Sequence, residues 1–255
     1  MTDPLTSGTP LVIAAHGTRD EAGVAECRAL AERVARKLPG IPVELGFVEL
    51  AEPGIPEAVG AAVAQAPDNP EGAGGDEEAA AVVVPLMFNT GGHVREDIPE
   101  AIDEGRGDAR VMYSAPLLPD VRMRKALNHR LTETLAAGEG CEEWRPRDTS
   151  AVLVGRGALV PDANASHYTL TRMFWEENDL SRVEPAFIQV TRPSVPEALS
   201  ALAAQGANQI VVQGNFLFPG LLHVWMTEQV EAWQASHSGV EIRIAPVIGD
   251  CDEVA

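Results

Sequence analysis

Three residues of the types that bind metals and move protons occupy matching places in the chain. His16 lies in AAHGTRD, Glu49 in FVELAEP and His93 in NTGGHV, and an apolar run precedes each motif. Imidazole nitrogen suits iron, cobalt, nickel and zinc, and a carboxylate adds a charged oxygen ligand. Two histidines and one carboxylate leave coordination positions open, as a metal that is taken up and passed on requires. A neutral imidazole is also a base suited to work near neutral pH. A histidine alone reads first as a hydrogen-bonded loop residue, and Glu49 alone as a helix N-terminal or surface acid; the metal reading rests on their shared setting. Gly17, Gly91 and Gly92 beside them would let the backbone come close to a ligand.

The elements that must position these residues follow from periodicity. LVIAA (11–15) is a short buried strand, and Val24, Cys27, Ala31, Val34 and Leu38 recur on one helical face. Pro39-Gly40 stops that helix, and Val43, Leu45 and Phe47 alternate as a second strand. Pro56 opens a helix toward Ala66, and Ala81–Val84 is a third strand. Asp97-Ile98-Pro99 starts another helix, Val111–Ala115 is a fourth strand, and a long helix covers roughly 120–137. Strands alternating with helices predict a parallel sheet with right-handed crossovers. Functional groups gather at the carboxyl ends of such strands, where all three candidates fall.

The pattern occurs twice. PGIPEAV (53–59) matches PSVPEAL (193–199), LVIAAHGT (11–18) matches AVLVGRGA (151–158), and GFVEL (46–50) matches AFIQV (186–190). Further on, His93-Val94 matches His223-Val224 and YSAPLLPD (113–120) matches RIAPVIGD (243–250). The expected architecture is therefore α/β. Two tandem similar domains, 1–140 and 150–255, each hold a small, mainly parallel sheet flanked by helices, with an active-site cleft between them. In the second copy Arg156 replaces His16, Gln189 replaces Glu49 and Trp225 replaces Arg95, while His223 is retained. Arginine neither ligates a metal nor acts as a base near neutrality, so the second copy reads as scaffold. Arg156 either presents charge to an anionic substrate or is structural.

Composition narrows the partners. The 255 residues carry 38 acids against 19 Lys+Arg, a net charge of −19. That sign disfavours nucleic acid and anionic membrane surfaces. No apolar run approaches the length of a membrane span, and MTDPLTSGTP lacks the features of a secretory signal. Cys27, Cys141 and Cys251 form no disulfide framework or metal motif, which points to a reducing, cytoplasmic setting. The acidic stretch 67–78 (PDNPEGAGGDEE) reads as a solvated loop. His129, His167 and His237 read as structural, and Trp175 and Trp233 as packing residues.

VIAAHGTRDEAG, GFVELAEPGIPEAV and VVVPLMFNTGGHVREDIPEAI, in that order, resemble the CbiX/SirB group of class II chelatases in its long, two-domain form. The resemblance implies a lyase that inserts a divalent metal into the tetrapyrrole sirohydrochlorin without ATP, cobalt leading toward cobalamin and iron toward siroheme. It maps the two active-site histidines onto His16 and His93 and an additional carboxylate onto Glu49. The metal, with nickel as a further option, is a substrate, and no organic cofactor is expected. The macrocycle bears many carboxylates and the protein is net negative, so local cations are needed. Arg19, Arg95 and Arg156 are the candidates, with the backbone of Asn89, Thr90, Gly91 and Gly92. The fused repeat predicts a monomer, with a dimer as the alternative. Two rivals are a non-catalytic metal or tetrapyrrole carrier and a histidine-phosphatase-like hydrolase. The hydrolase normally needs Arg before the histidine, where this chain has Ala15.

Overall fold

A computed structural model describes residues 8–67, 79–88, 91–117, 120–136 and 143–255. In chain order it contains β1 (Leu11–Ala15), α1 (Glu21–Lys37), β2 (Val43–Phe47), α2 (Ile55–Ala64) and β3 (Ala81–Pro85). A π-helical turn, His93–Asp97, then runs into α3 (Ile98–Gly105), followed by β4 (Val111–Tyr113) and α4 (Val121–Ala136). The second copy supplies β5 (Ser150–Gly155), α5 (Pro161–Asn178), β6 (Arg182–Phe187), α6 (Val195–Ala204), β7 (Gln209–Gly214), α7 (Leu221–Gln234) and β8 (Glu241–Ile244). No helix among the described residues is long and apolar enough to cross a membrane.

The strands form two four-stranded sheets, ordered β2-β1-β3-β4 and β6-β5-β7-β8, and every pairing is parallel. β1 and β5 are buried along their whole length, as a central parallel strand covered on both faces must be. In the first sheet, Val12, Ala14 and Val83 pack against Ile55, Val59 and Ile98 from α2 and α3. Val152, Val154 and Val212 do the same with Val195, Leu199 and Met226 in the second. Chain order reverses at β1, so the carboxyl ends of β1 and β3 flank a switch point, the usual ligand position in such sheets.

Several local expectations shift. The buried stripe of α1 is Gly23, Cys27, Leu30 and Val34, with Val24 and Ala31 half-buried at its flanks. The fourth strand stops at Tyr113 instead of Ala115; the last ladder bond to β3 runs from the Ser114 N–H to the Val83 carbonyl at 2.9 Å. By contacts the chain forms two compact units, divided between positions 118 and 119. α4 is fastened within the later unit. Its Leu127 carbonyl accepts from Gln213 Nε2 at 2.9 Å, and its Arg130 donates to the Ile248 carbonyl at 2.6 Å.

One repeat difference is a paired change of size. The buried ring of His167 lies 3.1 Å from where a Cβ on Gly155 would sit. The aligned pair in the first copy is Cys27 and Ala15, a smaller side chain facing a larger backbone position. Burial pushes the His167 pKa down to about 4, only partly opposed by hydrogen bonds to the backbone of Leu153 and Ala186. The folded form therefore keeps this imidazole neutral, while the unfolded chain protonates it near pH 6.5. Stability is fully present above pH 6.5 and falls as pH drops toward 4, by on the order of 3 kcal/mol in total. Urea unfolding of wild type and His167→Gln at pH 7 and pH 4.5 checks this. The histidine-dependent part of the loss should be absent in the variant.

Candidate metal centre at the carboxyl edge of the first sheet

His16 leaves β1 one residue past its end, and the parallel pairing with β2 continues beyond both strands. Val48 donates its N–H to the Ala15 carbonyl at 2.9 Å and Glu49 donates to the His16 carbonyl at 3.1 Å. That register brings the His16 and Glu49 side chains to one edge, with His16 Nε2 3.9 Å from Glu49 Oε1. Leu50, at φ 65°, then turns the chain away from the edge. His93 arrives from the far side of β1, after β3. Its ring meets that of His16 edge-on, with centroids 4.5 Å apart and planes at 83°.

One ligand atom from each of His16, Glu49 and His93 lies within 4.8 Å of the others. It is the one such group of three or more metal-capable side chains among the described residues. Side-chain exposures are 43% for His16, 50% for Glu49 and 34% for His93. All three side chains are thus partly open to an incoming ion. An edge-on histidine pair with a carboxylate beside it can take a divalent cation on one face and leave the other face for exchange.

The connection HGTRD has a definite shape. Thr18 Oγ1 accepts from the Asp20 N–H at 3.1 Å, and the Asp20 carboxylate accepts from Ala22 N–H at 3.0 Å, capping α1. Gly17 sits at φ +90°, and a Cβ there would lie 1.8 Å from the Glu49 carbonyl oxygen. Its glycine is required by the two crossing backbones, which corrects the expectation that it makes room for a ligand. Gly157, also at φ +90°, stands in the same relation to the Gln189 carbonyl at 2.0 Å. A Cβ at Gly91 or Gly92 would meet nothing within 4 Å, so protein packing demands glycine at neither.

The expected site residues divide as follows. His16, Glu49 and His93 come together. Arg19, Arg95 and Arg156 are exposed, as are Gly91 and Gly92. Asn89, Thr90 and Cys141 and nearly all of the acidic stretch 67–78 lie outside the described residues. The expectation that His93 lies in a loop, with a helix starting at Asp97-Ile98-Pro99, is corrected: His93 opens a π-turn continuous with α3. The turn exists because Pro99 has no N–H to give the carbonyl four residues before it, so the bonding register shifts by one. Ile98 N–H then bonds the His93 carbonyl, five residues back.

Sequence reasoning missed two residues here. Asp97 Oδ2 lies 2.5 Å from His93 Nδ1, and the Tyr113 hydroxyl donates to the Val94 carbonyl at 3.0 Å. Burial pushes the Tyr113 phenol up to about 12, so it stays a donor throughout the working pH range. The four-residue spacing of His93 and Asp97 was a usable signal, hidden by placing the helix start at the proline.

At the matching edge of the second sheet, Arg156 and Gln189 stand in place of His16 and Glu49. His223 lies within the regular helix α7, its buried Nδ1 without a hydrogen-bond partner and its pKa lowered by burial. Exposed apolar side chains follow the strands of that sheet in chain order: Leu159 after β5, Val190 after β6, and Leu221, Val224 and Trp225 in the first turns of α7.

Comparison with known proteins extends these observations. The CbiX family model matches residues 10–134 and again 150–255. A sirohydrochlorin cobaltochelatase of Priestia megaterium is 30% identical over 82% of this chain; the match spans 64% of that relative, under two thirds of its length. A sirohydrochlorin ferrochelatase of the same organism is 26% identical over 94% of this chain and 84% of its own. The structure of SirB from Bacillus subtilis with Fe3+ superposes with a TM-score of 0.78 at 25% identity, covering 96% of this chain and 90% of that one.

Proposed function

The chain belongs to the CbiX family, and from that premise we propose that it is a sirohydrochlorin chelatase, inserting cobalt or iron into the macrocycle without ATP. The observation that carries this reading is the convergence of His16, Glu49 and His93 at one sheet edge. Metal insertion replaces two pyrrole N–H protons by one M2+ ion, so two protons leave for each metal that enters. His16 and His93 supply nitrogen for the incoming ion and a base for those protons, and Glu49 lends negative charge that favours the cation. The half-exposed setting suits a loosely held ion that must be surrendered. Nickel is chemically admissible at the same donors.

We assign substrate contacts to Arg19, Arg95 and Arg156, which can pair with macrocycle carboxylates, and to the backbone around Asn89–Gly92. We take the first sequence repeat, within residues 1–140, as carrying the chemistry and 150–255 as its degenerate copy, with α4 packed in the later compact unit, the chain acting as a monomer in the cytoplasm. The deciding experiment follows sirohydrochlorin absorbance with Co2+ or Fe2+ in excess over protein. A chelatase metallates many macrocycles per chain, whereas a carrier stops at one. In the same assay His223→Ala should run close to the wild-type rate, since Arg156 and Gln189 leave that histidine without co-ligands.

Arg95→Ala should raise the KM for sirohydrochlorin roughly two- to fivefold, the scale of an exposed ion pair. The KM for metal should stay nearly unchanged. Added salt should weaken macrocycle binding more in wild type than in this variant, because one screened contact is gone. An unchanged macrocycle KM would remove Arg95 from the substrate site.

A further inference from the structure

We propose that Asp97 is a positioning residue for His93, held in register by the π-turn that Pro99 imposes and Tyr113 pins. This rests on the reading of His93 as a metal ligand. His93 Nδ1 lies 2.5 Å from Asp97 Oδ2. A carboxylate accepts and cannot donate, so the ring nitrogen facing it carries the proton. The lone pair is thereby placed on Nε2, which leaves that nitrogen as the ring's donor for an ion held with His16 and Glu49. Carboxylates that hold a metal-binding histidine in this way fix its tautomer and ring orientation and raise its basicity as a ligand.

The backbone that brings the two side chains together has its own logic. In a regular α-helix Ile98 N–H would bond Val94, but here it bonds the His93 carbonyl. The Val94 carbonyl loses that partner, and the next candidate, Pro99, has no N–H. The Tyr113 hydroxyl fills the vacancy at 3.0 Å, tying the turn to the end of β4. The second copy serves as an internal control. There Thr227 stands for Asp97, Gln229 for Pro99 and Arg243 for Tyr113. Its helix α7 is regular from Leu221 to Gln234, and His223 Nδ1 has no partner. Thr227 spends its hydroxyl on the His223 carbonyl, and Arg243 bonds the carbonyls of Thr134 and Leu135. All three parts of the device are absent together, in the copy that also lacks the other two ligands.

The test measures Co2+ binding to the full chain by calorimetry without macrocycle, together with the His93 tautomer from long-range 1H–15N NMR. Asp97→Ala should weaken Co2+ binding roughly 10- to 100-fold and shift His93 away from the Nδ1–H form. Asp97→Asn keeps an acceptor and should recover part of both. Asp97 is half-exposed, so neither change threatens the core. Tyr113→Phe should weaken binding in the same direction but less, since it frees the turn without removing the carboxylate. In steady state, Asp97→Ala should raise the KM for metal and leave the macrocycle KM unchanged. Wild-type Co2+ affinity and an unchanged tautomer in Asp97→Ala would overturn the proposal. His93→Ala in the same titration separates the two claims: if it binds Co2+ like wild type, the metal reading itself has failed.

Discussion

Replacing His16 or His93 with alanine will lower the rate of sirohydrochlorin metallation by at least about 100-fold, the low end of a general-base contribution. The two rings meet edge-on with centroids 4.5 Å apart, and both share one small volume with Glu49. Neither imidazole is enclosed by the core, so alanine removes a ligand and a base without opening a cavity. The folded state should be unaffected, and circular dichroism together with the melting temperature verifies that. The double variant should be little worse than either single one, because two ligands of one ion act as a unit and their effects do not add. Near-wild-type rates in both folded single variants would remove the metal site from the mechanism.

Gly17→Ala carries the second large effect, and for a backbone reason. At φ +90° an L side chain is strained, and its Cβ would lie 1.8 Å from the Glu49 carbonyl. The strain costs roughly 1–3 kcal/mol. Relief requires the His16 and Glu49 segments to separate, and a misplacement on the order of 1 Å is enough for about a 100-fold loss of rate. Gly157→Ala supplies the matched comparison: the same φ, a 2.0 Å approach to the Gln189 carbonyl, and no ligand set beside it. Both variants should melt earlier, and only Gly17→Ala should also lose Co2+ affinity and metallation. Equal losses of metal binding in the two would show that the crossing is structural alone.

Much of this architecture is written in local patterns. The apolar runs at 11–15 and 81–84 and the alternation at 43–47 mark strands because a buried pleated segment has few other solutions. Strand–helix alternation then requires parallel pairing, and the two sheets pair in parallel throughout. The three candidate ligands could be placed at one edge without coordinates, since residues that directly follow parallel strands exit on the same side. The repeat was legible because its matches keep their order along the chain.

What stayed hidden depends on groups far apart in sequence or on a missing donor. Gly17 could not be told from a ligand-facing glycine until the Glu49 carbonyl was seen to cross it. The helix α4 could not be given to a partner, because its ties are to Gln213 and Ile248, roughly ninety and one hundred and twenty residues on. The start of the helix at His93 was misplaced for a reason that proline itself supplies: Pro99 favours a first turn, but it equally shifts a longer helix by one residue when a hydroxyl can take the orphaned carbonyl. That hydroxyl belongs to Tyr113 on another strand. Periodicity and turn chemistry are local and determined which residues stand at the edge of the first sheet. The orientation of those residues was decided only by the folded chain, because the hydrogen bonds that orient them span a π-turn, a crossing loop and a neighbouring strand.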